Sequence, residues 1–345
     1  MYSDHYGLTG RPFQLTPDPR FWFESSTHKK AMAYLGYGLA QGEGFIVVTG
    51  EIGAGKTTLT GHLMETVDPA RVNAVRISST QVEGDDMLRL VAQGLGVATT
   101  GVDKAALLAK VEAFIQERGR AGQKTLLIVD EAQSLPNSAL EELRMLSNVQ
   151  MGGQAVLQIF LLGQPEFRDR LAESEMLEQL RQRVIATHHL SAMDANEVGP
   201  YVEHRLKLVG WTGKPAFSTD AFAALYRYSG GVPRKINNLM TRVLLMASLD
   251  NATQIDGPLV EAVIADLGND HSIANSPTAF AKTSSALPTA HDSMTLDLAA
   301  RVAMLEAHVD EQGAALRRVL GLLVEWVEAD EARAATSEIR RAPAA

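Results

Sequence analysis

The run FIVVTGEIGAGKTTLT, residues 45–60, narrows the choice of fold more than any other part of the chain. Its first five residues are apolar or β-branched and predict a buried strand. Glycines at 50, 53 and 55 follow at once, and TLTGHLMETV continues with helical character. A strand that ends in a glycine loop and turns straight into a helix brings successive backbone N–H groups and a helix N-terminus to one spot. Gly50, Gly55, Lys56 and Thr57 satisfy the spacing G-x-x-x-x-G-K-[ST]. Read this way, Gly50, Glu51, Ile52, Gly53, Ala54, Gly55, Lys56, Thr57 and Thr58 cradle nucleotide phosphates. Lys56 reaches the β- and γ-phosphates, and the Thr57 hydroxyl ligates Mg²⁺. The expected ligands are ATP and Mg²⁺.

The stretch TLLIVDEAQ, residues 125–133, supplies a second half. Its apolar run suits a central parallel strand buried on both faces. Asp130 then stands at the strand's C-terminal end, ready to hold Mg²⁺, and Glu131 is placed to polarise an attacking water. Three more β-branched runs, 72–78, 156–163 and 184–190, alternate with amphipathic stretches such as DDMLRLVAQGLG. Strand and helix in alternation predict an α/β fold with a five-stranded parallel sheet covered on both faces.

DEAQ resembles a helicase motif, but a helicase needs a second sheet domain. Residues 191–268 read instead as about four helices with no convincing strand, the first opening on the cap-like DANE. They predict a small helical lid. Gln164, ending the strand VLQIFLLGQ, would orient water or sense the γ-phosphate. Arg181 and Arg183 lie just before the last strand, where an arginine can project toward a neighbouring subunit's phosphate; Arg183 is favoured. In SGGVPRKINNLM, Arg234 follows Pro233 and would aim a cation back from the lid. Together these are the parts of an AAA+ P-loop NTPase.

The chain resembles the general secretion pathway protein A (ExeA-type) ATPases, and most closely their relatives of the exosortase/PEP-CTERM (XrtA) systems. The resemblance covers roughly residues 1–268 and rests on PFQLTPDPRFWF, YLGYGLAQGEGFIVVTGEIGAGKTTL, VDEAQSL, FLLGQPEFRDRL, LRQRV, EHRLKLVGW and GGVPRKIN, in order. It implies an AAA+ fold, ATP hydrolysis and a link to secretion or envelope polysaccharide export. The secretion members also carry a membrane span and a periplasmic peptidoglycan-binding region. This sequence shows neither, so their pore-assembly role is not carried over.

Bulk properties bound the partners. A net charge of −9 is the wrong balance for a protein coating phosphate backbones, so no nucleic acid is expected. A DNA-dependent ATPase of the transposition type, or a slow nucleotide-gated scaffold, stays open as an alternative. Cysteine is absent, which excludes disulfides and thiol chemistry. With neither a signal peptide nor a long apolar run, the expectation is cytoplasmic, at most peripheral to the inner membrane. The expected partners are a protein client of an export system and further copies of the chain, through the arginine in trans.

Around the core, residues 1–43 are expected to flank the nucleotide site of the 44–190 core. Phe13, Phe21, Trp22 and Phe23 either wall the adenine pocket or simply pack. Ser138 and Glu141 suggest a capping box opening a helix with a buried Leu140, Leu143, Leu146, Val149 stripe. Residues 269–293 read as a flexible linker, 294–330 as an amphipathic helix with a coiled-coil seam, and 331–345 as a disordered tail.

Overall fold

The structure, a computed structural model, describes residues 2–78 and 82–274. Nearly all of the linker, the heptad segment and the tail therefore lie outside the described residues. In chain order the elements are α1 (Tyr2–His5), α2 (Ser26–Gln41), β1 (Phe45–Gly50), α3 (Lys56–Thr66), β2 (Val72–Ser78), α4 (Gly84–Gly94), α5 (Lys104–Arg120), β3 (Lys124–Asp130) and α6 (Asn137–Leu146). Next come β4 (Gln150–Met151), β5 (Gln154–Ala155), β6 (Leu157–Gly163), α7 (Pro165–Glu173), α8 (Glu178–Arg181) and β7 (Val184–Leu190). The last third holds α9 (Ala195–Lys207), β8 (Ala216–Phe217), α10 (Thr219–Ser229), α11 (Pro233–Leu249), β9 (Gln254–Ile255) and α12 (Gly257–Ala274).

The five long strands join one parallel sheet in the order β2-β3-β6-β1-β7. Side chains alternate between its faces. Phe45, Val47, Leu127, Val129, Ile159 and Leu161 meet α4, α5 and α6 on one side. Ile46, Val48, Leu126, Ile128, Phe160 and Leu162 meet α2 and α3 on the other. Every residue of β1 and β6 is buried, which is why these strands read as continuous apolar runs. Each fully buried large side chain, Phe160 for example, contributes about 1.5–3 kcal/mol relative to exposure.

Helices α9 to α12 form a second apolar cluster through Val198, Leu206, Leu225, Ile236, Leu239, Leu244 and Val260. Leu8, Phe13 and Phe21 belong to that cluster, so the N-terminal segment packs with the lid. Helix α9 starts on a full capping box of Asp194 and Glu197, as DANE suggested.

Three expectations are corrected. Helix α6 begins after Pro136, so Ser138 lies inside the helix and Glu141 pairs with Arg144 at 2.6 Å instead of capping. A proline just before the helix fixes its start two residues earlier than the S-x-x-E pattern does. The leucine stripe of that helix is buried as expected, with Val149 at 5% exposure. The lid is not free of strand: β8 and β9 pair over two residues, too short to show a period. Helix α12 also continues past residue 268, where composition marked a boundary.

Candidate functional site

The glycine loop begins where β1 leaves the sheet. Gly53 (φ 86°) and Gly55 (φ 100°) hold backbone conformations that side-chain-bearing residues rarely adopt. Gly55 is constrained twice, because a Cβ there would lie 2.7 Å from Nε2 of His28. It also stands at the N-cap of α3 with no side-chain cap, so the first N–H groups of that helix remain available to a ligand. The Lys56 ammonium donates to Gly50 O at 2.5 Å and Glu51 O at 3.1 Å. Burial holds that ammonium below its usual range, and Glu131 and Asp130 oppose the shift.

Glu131 and Gln164 meet because β3 and β6 are neighbours that end at the same edge of the sheet. Glu131 has φ 56° and ψ 40°, a left-handed conformation that costs about 1–3 kcal/mol in a non-glycine residue. That turn takes its carboxylate out of line with the strand. Gln133 Nε2 donates to Glu131 Oε2 at 2.5 Å, and its Oε1 accepts from the Gln164 backbone N–H at 3.0 Å. The Gln164 amide lies 3.5 Å from the same carboxylate oxygen. Arg170 of α7 fastens the loop from behind, donating to Leu135 O at 2.7 Å and to Asn137 Oδ1. Gln133 is thus a site residue, joining the Glu131 carboxylate to the residue that caps α7. Gln133→Ala is expected to leave nucleotide affinity within about twofold and to lower turnover about tenfold, since the hydrogen bonds that tie Glu131 to Gln164 through this side chain are lost. Steady-state phosphate release beside equilibrium nucleotide binding checks this.

The lid closes the other wall. A Cβ on Gly231 (φ 76°) would meet Met193 O at 2.0 Å, so the Gly230-Gly231 turn is obligatory. It delivers Pro233 to the first turn of α11, and Arg234 N–H donates to Gly53 O at 3.3 Å. The sequence-predicted residues Lys56, Thr57, Thr58, Glu131, Gln164 and Arg234 consequently line one cavity of about 310 Å³. Asp130 is buried beside it, at 3% exposure, with Oδ1 accepting from the Glu131 N–H at 3.0 Å.

The far end of the cavity is made by residues 14–18 together with Tyr201, Arg205 and Asn237. Arg205 is 8% exposed, donates to Pro12 O at 2.6 Å and to Tyr201 Oη at 3.0 Å, and stacks 4.5 Å over the Phe21 ring. Tyr201 in turn donates to Asn237 Oδ1 at 2.8 Å, and burial pushes its phenol up. These residues escaped sequence reading. The available signal was an arginine on the same helical face as Val198, Tyr201 and Val202. Of the four aromatics, Phe13 and Phe21 are core residues, Phe23 packs on Tyr201, and Trp22 stacks on His62 at 4.4 Å. All four pack; none is among the residues lining this cavity.

Arg183 stands elsewhere. Its carbonyl accepts from Phe45 N–H at the N-terminal edge of the sheet, the edge opposite the loop. The six residues of β1, roughly 16–20 Å of strand, separate it from its own site. Its guanidinium donates to Ser147 Oγ at 3.1 Å, just after α6. Arg181 caps the end of α7 through Ala172 O at 2.6 Å. His188 and His189 bond on opposite sides, to Thr27 and Thr49, as expected for neighbours in a strand.

Behind the loop, Ser25 Oγ lies 2.6 Å from His28 Nδ1, and burial pushes the imidazole down to about 4. A histidine held neutral in the fold but free to protonate on unfolding costs stability as pH falls. The contribution is fully present above about pH 6.5 and is lost toward pH 4. Between pH 7.5 and 5 it amounts to about 2 kcal/mol, and His28→Asn should remove most of that difference from urea-unfolding curves at the two pH values.

Comparison with known proteins agrees with this fold. Residues 39–171 match the family model described as AAA domain. General secretion pathway protein A of Aeromonas hydrophila is 35% identical over 251 residues, covering 72% of this chain and 45% of that protein. The chain therefore spans a little under half the length of that curated relative. Among solved structures, the ORC2 protein of Aeropyrum pernix aligns with a TM-score of 0.56 at 16% identity, over 74% of this chain and 71% of that one. Cdc6p of Pyrobaculum aerophilum gives 0.55 at 16% identity, over 71% and 67%. At such identities these two establish the fold alone. The chain accordingly belongs to the AAA+ P-loop proteins and is a relative of general secretion pathway protein A across the region the two share.

Proposed function

We propose that this protein hydrolyses MgATP and uses the cycle to drive or gate a protein partner of an export system, exosortase-linked systems included. The observation that carries the reading is the Glu131–Gln133–Gln164 network at the mouth of a glycine-loop cavity. A carboxylate held by two amides, beside a lysine and a helix N-terminus, is the equipment for activating water next to a phosphate.

The donor set fits Mg²⁺. Thr57 and Asp130 offer hard oxygen ligands, and among the described residues no group of three His, Cys, Asp or Glu forms a closed metal cage. Mg²⁺ suits such a site, because it takes few protein ligands and shares the rest of its shell with phosphates and water. When bound, it neutralises charge between the phosphates. Lys56 and the loop N–H groups hold the phosphates, Glu131 accepts the proton of the attacking water, and Gln164 orients that water. Arg234 carries the lid onto the nucleotide.

Arg183 is directed away from its own site, which suits action on a neighbouring copy. Its anchor on Ser147, at the end of α6, ties that arginine to the helix that starts after Gln133. A homo-oligomer built this way would pass the state of one site to the next.

The reading is tested by phosphate release from the full chain with ATP and Mg²⁺, with and without duplex DNA at low and moderate salt. Steady hydrolysis with a flat response to DNA is expected. Hydrolysis that requires DNA and falls steeply with salt would replace this reading with the transposition-type ATPase. Among the described residues no helix is long and apolar enough to cross a membrane.

A further inference from the structure

Strand β2 reads VNAVRIS and is an edge of the sheet. On its α3-facing side Val72 and Ala74 pack against the apolar layer. The next position on that face is Arg76, a cation where the alternation calls for another apolar residue. The parallel register sets Arg76 opposite Ile128 and Ser78 opposite Asp130. Arg76 is therefore one side-chain repeat below Asp130 on the same face, and its length lets it climb to the carboxylate. Nη2 lies 2.7 Å from Asp130 Oδ2, with side-chain exposures of 29% and 5%.

Two features mark this contact as displaceable. It is a single hydrogen bond, not the two-point fork that fixes an arginine on a carboxylate. Arg76 Nε is also buried with no hydrogen-bond partner among the described residues, so the guanidinium is incompletely satisfied by them. Asp130 meanwhile has its other oxygen engaged by the Glu131 N–H. Among the described residues, the oxygen facing Arg76 has no other hydrogen bond.

We infer that Arg76 is the resident counter-cation of Asp130, which Mg²⁺ must displace or work against. The residue thereby sets the Mg²⁺ concentration at which the nucleotide site is completed. This rests on the MgATP reading of the cavity. Without the metal, Arg76 neutralises the buried carboxylate. When Mg²⁺ arrives with nucleotide, like charges repel and the guanidinium is driven toward the open side of the edge strand. Arg76 is a positioning residue acting through Asp130.

The test is a Mg²⁺ titration of fluorescent ATP binding to the full chain, with binding in EDTA as the control that each variant folds and keeps its loop. Arg76→Gln should lower the Mg²⁺ midpoint about tenfold, the size expected of one unit charge a few ångströms away in a partly exposed site. Arg76→Met keeps the aliphatic length along β2 and should shift the midpoint likewise. Arg76→Lys keeps the charge and should stay within about threefold of wild type. An unchanged midpoint in Gln and Met variants that still bind in EDTA overturns the inference, as does a raised one. If the wild type has no Mg²⁺-dependent step, the metal reading of Asp130 fails, and this inference with it.

Discussion

Glu131→Gln is expected to bind ATP within about threefold of wild type and to turn it over about 10²–10⁴ times more slowly, the range for losing a general base. The substitution is nearly isosteric, so loop, lid and metal acid are untouched. What it removes is the carboxylate that Gln133 holds in place and Gln164 approaches, the group positioned to take a proton from water. The left-handed backbone at Glu131 supports the same expectation, since strain of about 1–3 kcal/mol is retained where it aims a side chain. Single-turnover phosphate release together with equilibrium binding separates the two effects. Turnover near the wild-type rate would remove Glu131 from its role.

Lys56→Ala is expected to weaken ATP binding by about 10²-fold or more and to leave no measurable turnover. Removing a buried ammonium that meets phosphate oxygens costs about 2–5 kcal/mol. In the protein itself, Gly50 O and Glu51 O lose their donor, so the loop also loses its internal brace. The fold should survive, because the sheet on either side of the loop is secured by the strands themselves. Isothermal titration with ATP, beside a thermal melt, distinguishes a lost ligand contact from a lost fold. Wild-type affinity would place the phosphates elsewhere.

The sheet and the glycine-loop end of the cavity were legible because each is set by local chemistry. Gly53 and Gly55 are demanded by positive φ, and β1 and β6 by burial on both faces. Gln164 and Glu131 could be paired from the sequence because adjacent parallel strands end together. The far end of the cavity, lined by Tyr201, Arg205 and Asn237, was not legible. Arg205 reaches Pro12 across 193 residues, and its role depends on the N-terminal segment folding onto the lid. Arg76 was hidden for a similar reason: only the β2–β3 register reveals its partner. The supposed capping box shows the opposite failure, a local pattern overruled by the proline beside it. Phe13 and Phe21 were ambiguous because an aromatic before a glycine loop serves a core or a ligand equally well.

The most direct test of a shared site mixes two defective proteins, Lys56→Ala and Arg183→Ala. The first has no working cavity but keeps its arginine, and the second keeps its cavity but lacks the arginine. If Arg183 acts on a neighbour's nucleotide, the mixture regains ATP hydrolysis well above the sum of its parts. Activity equal to that sum, at concentrations where both variants assemble, would contradict the account.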